Sequence, residues 1–173
     1  MQGMSLPRLP AIVDDVTVRL IAGVVLVIGI VALATQQWWL YAVIGVDFTL
    51  RAALGPRLSP LARVVQGWVR PAVSAAPRPT AGVPKRFAAA IGAVLTIAAT
   101  ALWIVSLATG SATALGWVVG IAVVMVVFPA LEAILGICVG CLVFSGLMRI
   151  GVVPEEVCID CADITRRSRV HTA

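Results

Sequence analysis

Two stretches of this chain carry no charge at all: the one between Arg19 and Asp47, and the 45 positions that separate Arg86 from Glu132. A helix cut from either stretch has no charged face to turn toward water, so the solvent it suits is lipid. A membrane-crossing helix needs about 20 apolar residues, and the second stretch therefore holds two spans. The join between them reads at Leu107-Ala108-Thr109-Gly110-Ser111-Ala112-Thr113, where small and polar residues end one helix and cap the next. In the first stretch Gln36 and Gln37 interrupt a run that starts near Thr17, and Trp38, Trp39 and Tyr41 then form an interfacial aromatic belt. The expected fold is all-α, an integral membrane four-helix bundle with spans at 17–35, 38–54, 87–108 and 114–135. Leu20 to Ala34, ending Ala32-Leu33-Ala34, also has the length of a signal-peptide core. Asp14 and Asp15 argue against a basic leader there and suit the start of a helix, whose dipole favours acids.

Composition narrows the function classes. Charged residues make up 12% of the 173, half the usual share of about 25%, too few to clothe a soluble enzyme. No nucleotide-binding loop, Ser/His/Asp set or EF-hand loop is present, and the single histidine, His171, lies at the end of the chain.

The charges that do exist set the organisation. All 13 lysines and arginines fall in three zones: Arg8 and Arg19; seven residues from Arg51 to Arg86; and four from Arg149 onward. Four spans put all three zones on one side, which the positive-inside rule makes cytoplasmic. The reading is a multi-pass cell-membrane protein with both termini in the cytoplasm. Its segments are a cytoplasmic N-terminus (1–16), spans one and two (17–54), a basic, proline-rich cytoplasmic loop (55–86), spans three and four (87–135), and a cysteine-bearing cytoplasmic end and tail (136–173). A fifth span from Ala133 to Met148 would be short and would carry Arg166, Arg167 and Arg169 outside, so it is rejected. Within the loop, Leu58, Leu61, Val64, Val65 and Trp68 fall mostly on one helical face, as in an interfacial helix, and Pro71, Pro77, Pro79 and Pro84 predict a stiff linker after it. The net charge of +5 thus serves anionic lipid headgroups and topology, with no nucleic-acid role.

The chemistry-bearing residues are the four cysteines, Cys138-Val139-Gly140-Cys141 and Cys158-Ile159-Asp160-Cys161. Two CxxC pairs have the spacing of a four-thiolate metal site, zinc or iron-sulfur, and each alone has the spacing of a redox dithiol. Inert buried thiols are the third reading. A rise of about 1.5 Å per residue from Ala114 carries Cys138 past a core about 30 Å thick, to the cytoplasmic face, where disulfides are not permanent. Glu155, Glu156, Asp160 and Asp163 would raise the thiol pKa of the second pair unless a metal holds it; in the exchange reading Cys138 and Cys141 trade electrons or sulfane sulfur with a soluble protein, and Cys158 and Cys161 resolve or deliver. A continuous helix from Ala114 to Met148 would run about 52 Å, so a break is expected at Pro129 or Gly136. Gly136 and Gly140 either admit a neighbouring backbone or give the thiol access. Asp47 and Arg51, spaced i,i+4, predict an internal ion pair. Glu132, an intramembrane carboxylate, predicts either a proton relay to the thiols or, preferably, a structural pairing with Arg51.

Several segments together resemble a bacterial membrane family, common in actinobacteria, built on domain of unknown function 4395. They are Asp14 to Arg19; Asp47-Phe48 with Arg51 and Gly55-Pro56-Arg57-Leu58-Ser59-Pro60; Pro84-Lys85-Arg86-Phe87-Ala88; Glu132, Gly136 and Cys138 to Cys141; and Pro154 to Ile164. The resemblance runs over about positions 14 to 164 and implies no established activity. Such proteins often occur beside thioredoxin-like or sulfurtransferase proteins. That association implies thiol or sulfur chemistry, with a cytoplasmic thioredoxin-like or rhodanese-like partner. The alternatives from the residues stay open: a noncatalytic subunit with a metal held by Cys138, Cys141, Cys158 and Cys161, or an oligomeric small-solute channel with Asp47 and Glu132 on its path.

Overall fold

The computed structural model describes residues 12–56 and 58–152. Strand β1 (Ile12–Asp14) leads into α1 (Asp15–Thr35), whose N-cap is Asp14, with Asp15 in its first turn. α1 ends at Gln36 in a left-handed conformation, and α2 (Trp39–Leu54) runs back beside it. A corner closed by Gly55 leads to the short α3 (Pro60–Val64), which passes into a π-helical turn, Val65–Val69. Strand β2 (Pro79–Ala81) then pairs antiparallel with β1, Ile12 opposite Ala81 and Asp14 opposite Pro79. After it come α4 (Gly82–Thr109), α5 (Ala112–Ala130), a second π-helical turn at Leu131–Leu135, and α6 (Val139–Arg149).

Three helical stretches are long and apolar enough to cross a membrane: Asp15–Thr35, Gly82–Thr109 and Ala112–Leu135. No more than 33% of any of their apolar windows is buried inside the molecule, so most of this apolar surface faces outward. Val27, Val94 and Trp117, each at least 60% exposed, are typical of it. Such a surface is soluble only in lipid, and the chain is a membrane protein. α2, expected as a full span, is only 16 residues, about 24 Å, because the Gln36–Trp38 turn takes the residues before it and Gly55 stops it.

Small residues govern the packing. α4 buries Ala89, Gly92, Ala93, Thr96 and Ala99, and α2 packs on this stripe. Gly45 lies on Thr96, and a Cβ at Gly92 would stand 2.9 Å from the Phe48 ring. With little hydrophobic drive between helices in lipid, close backbone approach of this kind supplies the adhesion. α1 packs chiefly on α5, and Val25, Tyr41, Val118, Ala122 and Met125 make the shared core.

The loop departs from expectation on the face of its helix. Leu61 and Val65 do turn inward, joining Ala62 and Ile21, but Val64 and Trp68 point out, Trp68 being 83% exposed. The π-turn inserts an extra residue per turn, so the 3.6 periodicity that grouped these five residues fails beyond Val65. The proline-rich stretch, expected as a stiff linker, is fastened to the start of α1. Arg78 N–H donates to Asp14 Oδ1 (2.9 Å), Arg70 Nε donates to Asp14 Oδ2 (3.0 Å), and β2 is stitched to β1.

Candidate functional site: a dithiol at the head of the last helix

At one end of the molecule the start of α1, the end of α2, the start of α4 and the end of α5 meet. Arg86 donates to the Ala52 carbonyl (2.7 Å), and Lys85 Nζ lies 2.7 Å from Glu132 Oε1 and 3.4 Å from Asp15 Oδ1. Glu132 was expected to pair with Arg51; its partner is Lys85. Arg51 reaches back one turn to Asp47 instead, and its guanidinium also stacks 5.2 Å from the Phe48 ring centre. In the sequence Lys85 is one of seven basic residues flanking the spans, with nothing to single it out. What could have marked it is its depth, since the polar end of α4 must lie level with the polar end of α5 in an antiparallel pair.

The continuation of α5 breaks at Gly136, which has φ +72. Glycine is required at this break, because its φ is left-handed and a Cβ would fall on the Arg19 guanidinium, itself 3.6 Å from Asp15. Two residues later Cys138 begins α6 as its N-cap, with Sγ accepting from Cys141 N–H at 3.4 Å. Sulfur is a weak acceptor when neutral, and a thiolate in this position is stabilised by the helix N-terminus. Gly140 presses α6 onto α4, a Cβ there standing 2.5 Å from Ala88 Cβ. Ala88 follows Lys85 by three residues, so one face of α4 carries both the ammonium and the seat of α6. Both glycines thus serve close approach.

The two thiols differ. Cys138 is 8% exposed, and Cys141 is partly exposed. The Cys141 thiol donates to Cys138; together with the Lys85 charge and the Cys141 N–H this outweighs burial and the Glu132 charge, and holds Cys138 below the ordinary thiol range. Cys141, as that donor and half-buried, is pushed well above it.

Cys138 also lines a cavity of about 250 Å³ between α1, α2, α4, α5 and α6, not closed on all sides. Its wall is mainly apolar, with Ile21, Val25, Leu95 and Phe128 among the residues on it, while Lys85, Glu132, Arg51 and Arg86 supply charge. Cys141 is not on that wall.

Asp47 has a different environment. Its Oδ1 accepts from Ser59 Oγ (2.6 Å) and Leu61 N–H (3.0 Å), and Oδ2 takes Arg51. Ser59 also caps α3 through Ala62 N–H, and Pro60 opens that helix. The Gly-Pro-Arg-x-Ser-Pro segment is therefore a corner, with Gly55 at φ +86 making the turn and Ser59 tying it to the carboxylate.

Cys158 and Cys161 lie outside the described residues, as do Glu155, Glu156, Asp160 and Asp163. Among the described residues no group of three or more His, Cys, Asp or Glu forms a metal set.

The model of the family described as Domain of unknown function (DUF4395) matches residues 13–149. The chain belongs to this family. The match takes in the Asp47–Ser59 corner, Glu132, Cys138 and Cys141, and ends short of the second CxxC pair, so it is narrower than the 14 to 164 expected from the motifs. No curated protein matches the chain, and no solved structure does.

Proposed function

We propose that this protein is a four-span cell-membrane protein whose Cys138–Cys141 pair exchanges electrons or sulfane sulfur with a cytoplasmic thioredoxin-like or rhodanese-like protein. The carrying observation is the unequal dithiol at the head of α6: a buried Cys138 sulfur fed by the Cys141 N–H, beside a more exposed Cys141. In thiol–disulfide exchange the sulfur whose partner has the lower pKa is attacked most readily, since that partner leaves best. An incoming thiolate from a soluble protein would therefore attack Cys141 in the disulfide, and Cys138 would depart as thiolate.

The sidedness of this reading rests on the charges. The end of the molecule that holds the dithiol also holds Asp14, Arg51, Arg70, Lys85 and Arg86, whereas the turns at Gln36–Trp38 and Gly110–Ser111 at the other end carry none. The positive-inside rule then makes the dithiol end cytoplasmic, and α2, short as it is, the second span. The outward Leu58, Val64 and Trp68 suit the headgroup layer on that side.

The experiment is a redox titration of the detergent-purified full chain carrying Cys158→Ser and Cys161→Ser, read by the mass shift of maleimide-polyethylene glycol. A single two-electron couple is expected, absent from Cys138→Ser and from Cys141→Ser. Thiols that remain reduced under every poise, in a protein that is otherwise folded, would overturn the reading.

A further inference from the structure

The two sulfurs of the dithiol have different surroundings. Cys141 faces outward, but Cys138 lines an apolar cavity that a folded soluble protein cannot enter. Whatever reacts with Cys138 there must be small, apolar and able to dissolve in the bilayer. A cavity of about 150 Å³ takes a benzene ring, so one of 250 Å³ has room for a larger ring system. The wall also offers hydrogen-bond donors. Arg51 Nε is buried without a partner among the described residues, and Lys85 lies on the same wall as Cys138. A plain acyl chain would leave Arg51 Nε unanswered and could accept no electrons from sulfur.

From this combination we propose that the cavity is the binding site of a membrane quinone, which oxidises the Cys138–Cys141 dithiol. The ring would lie among Ile21, Val25, Leu95 and Phe128, with a carbonyl oxygen toward Arg51 or Lys85, and the open side would pass its tail to the lipid. This rests on the dithiol reading above and gives it a direction: soluble dithiol to Cys141, then Cys138 to quinone.

The chemistry balances without a further reactant. The Cys138 thiolate adds to the quinone ring; the Cys141 sulfur then attacks Cys138 Sγ, so that the S–S bond forms as the S–ring bond breaks. Two electrons leave the sulfurs and reduce the quinone. The two thiol protons end on its two oxygens, giving the hydroquinone, and the Lys85–Glu132 pair beside the thiols is the donor–acceptor through which they pass.

The test uses the full chain with Cys158→Ser and Cys161→Ser in nanodiscs, reduced and freed of reductant. The probe is 2,3-dimethyl-1,4-naphthoquinone, whose substituted ring does not arylate thiols permanently. Expected are saturable kinetics, one hydroquinone per disulfide formed, and loss of saturation in Val143→Trp, which fills the cavity from α6. Leu95→Phe narrows the same cavity from α4 and serves if Val143→Trp does not fold. Oxidation by glutathione disulfide is followed in parallel. If the pair cycles with glutathione but the quinone reaction is unsaturable, or is unchanged in both cavity variants, the quinone site is wrong and the dithiol reading stands. If neither oxidant forms the Cys138–Cys141 disulfide, both fall.

Discussion

Two corners of this molecule are built to one plan and differ in outcome. At the end of α2 a carboxylate, Asp47, precedes a glycine at positive φ, Gly55, and a residue that caps a short helix, Ser59. At the end of α5 the carboxylate is Glu132, the glycine is Gly136 and the cap is Cys138. In the first corner the cap reaches the carboxylate, and with Arg51 and the Leu61 N–H it leaves Asp47 fully engaged. In the second the carboxylate turns to Lys85, and the cap, now sulfur, is left at a cavity wall with a second thiol. An acid inside a membrane helix is thus not one kind of feature. The hydrogen bonds of Asp47 close on themselves and make structure, whereas Glu132 pairs with Lys85 on the cavity wall that Cys138 shares, the wall of the site we propose.

That contrast is open to attack. The largest expected effect is on the closed corner. Asp47→Ala strands a buried guanidinium and should cost about 3–5 kcal/mol, seen as unfolding in mild detergent at far lower denaturant; a neutral result would mean the corner is not held by its acid. Next is Gly140→Val, whose side chain meets the α4 backbone at Ala88. It should cost about 1–3 kcal/mol through overpacking and, by moving α6, change Cys138 alkylation, whereas unchanged alkylation would detach the thiol's properties from the α4 seat.

Lys85→Met sharpens the open corner. Cys138 is held below the ordinary thiol range, so its alkylation rate should rise with pH to a midpoint under the free-cysteine value of about 8.5. Removing the ammonium leaves the Glu132 charge opposing the thiolate, and the midpoint should move up. A midpoint that stays put would show that Lys85 acts on Glu132 alone.

The smallest effect lies at the ribbon. Four hydrogen bonds, from Arg78 N–H, Thr17, Arg70 and Val16 N–H, outweigh burial and depress the Asp14 pKa. A carboxyl depressed in the folded state stabilises above its unfolded pKa of about 3.9 and loses that contribution as pH falls through the folded value. Asp14→Asn should therefore flatten the acid limb of the stability curve below that pH and cost about 1 kcal/mol at neutrality, as a lost cap and ion pair. An acid limb identical to that of the parent would remove Asp14 from the account.

Much of this was legible in the sequence for physical reasons. Charge-free runs report where the three long apolar helices lie because lipid permits little else, and Asp14, Gly110 and Gly136 mark helix ends because only certain side chains suit those backbones. The i,i+4 spacing of Asp47 and Arg51 pointed to each other, as local spacing can. Glu132 with Lys85 was not legible, nor Arg19 on Gly136, because such contacts depend on which helices are neighbours, and apolar helices read alike on every face. The cavity beside Cys138 was hidden for the same reason. The β1–β2 ribbon was missed because three residues carry too little periodicity to announce a strand, and the π-turn displaced Trp68 by a register shift that no composition signals.

The ribbon also bears on how the chain is assembled. Asp14 receives its Arg78 hydrogen bond from a residue 64 positions later, and α1 finds its main packing partner in α5, the last long helix to be made. During synthesis α1 must therefore wait in lipid with its base unfastened and its partner absent, while α2 has its corner at Ser59 early and needs only α4, the next long helix, to pack against. Closure of the contacts with the greatest sequence separation comes last and is slowest. The dithiol, seated on α4 and hemmed in by Arg19 of α1, is consequently among the last features to acquire its final form, and a chain released before that moment would carry its cysteines without the setting that makes them unequal.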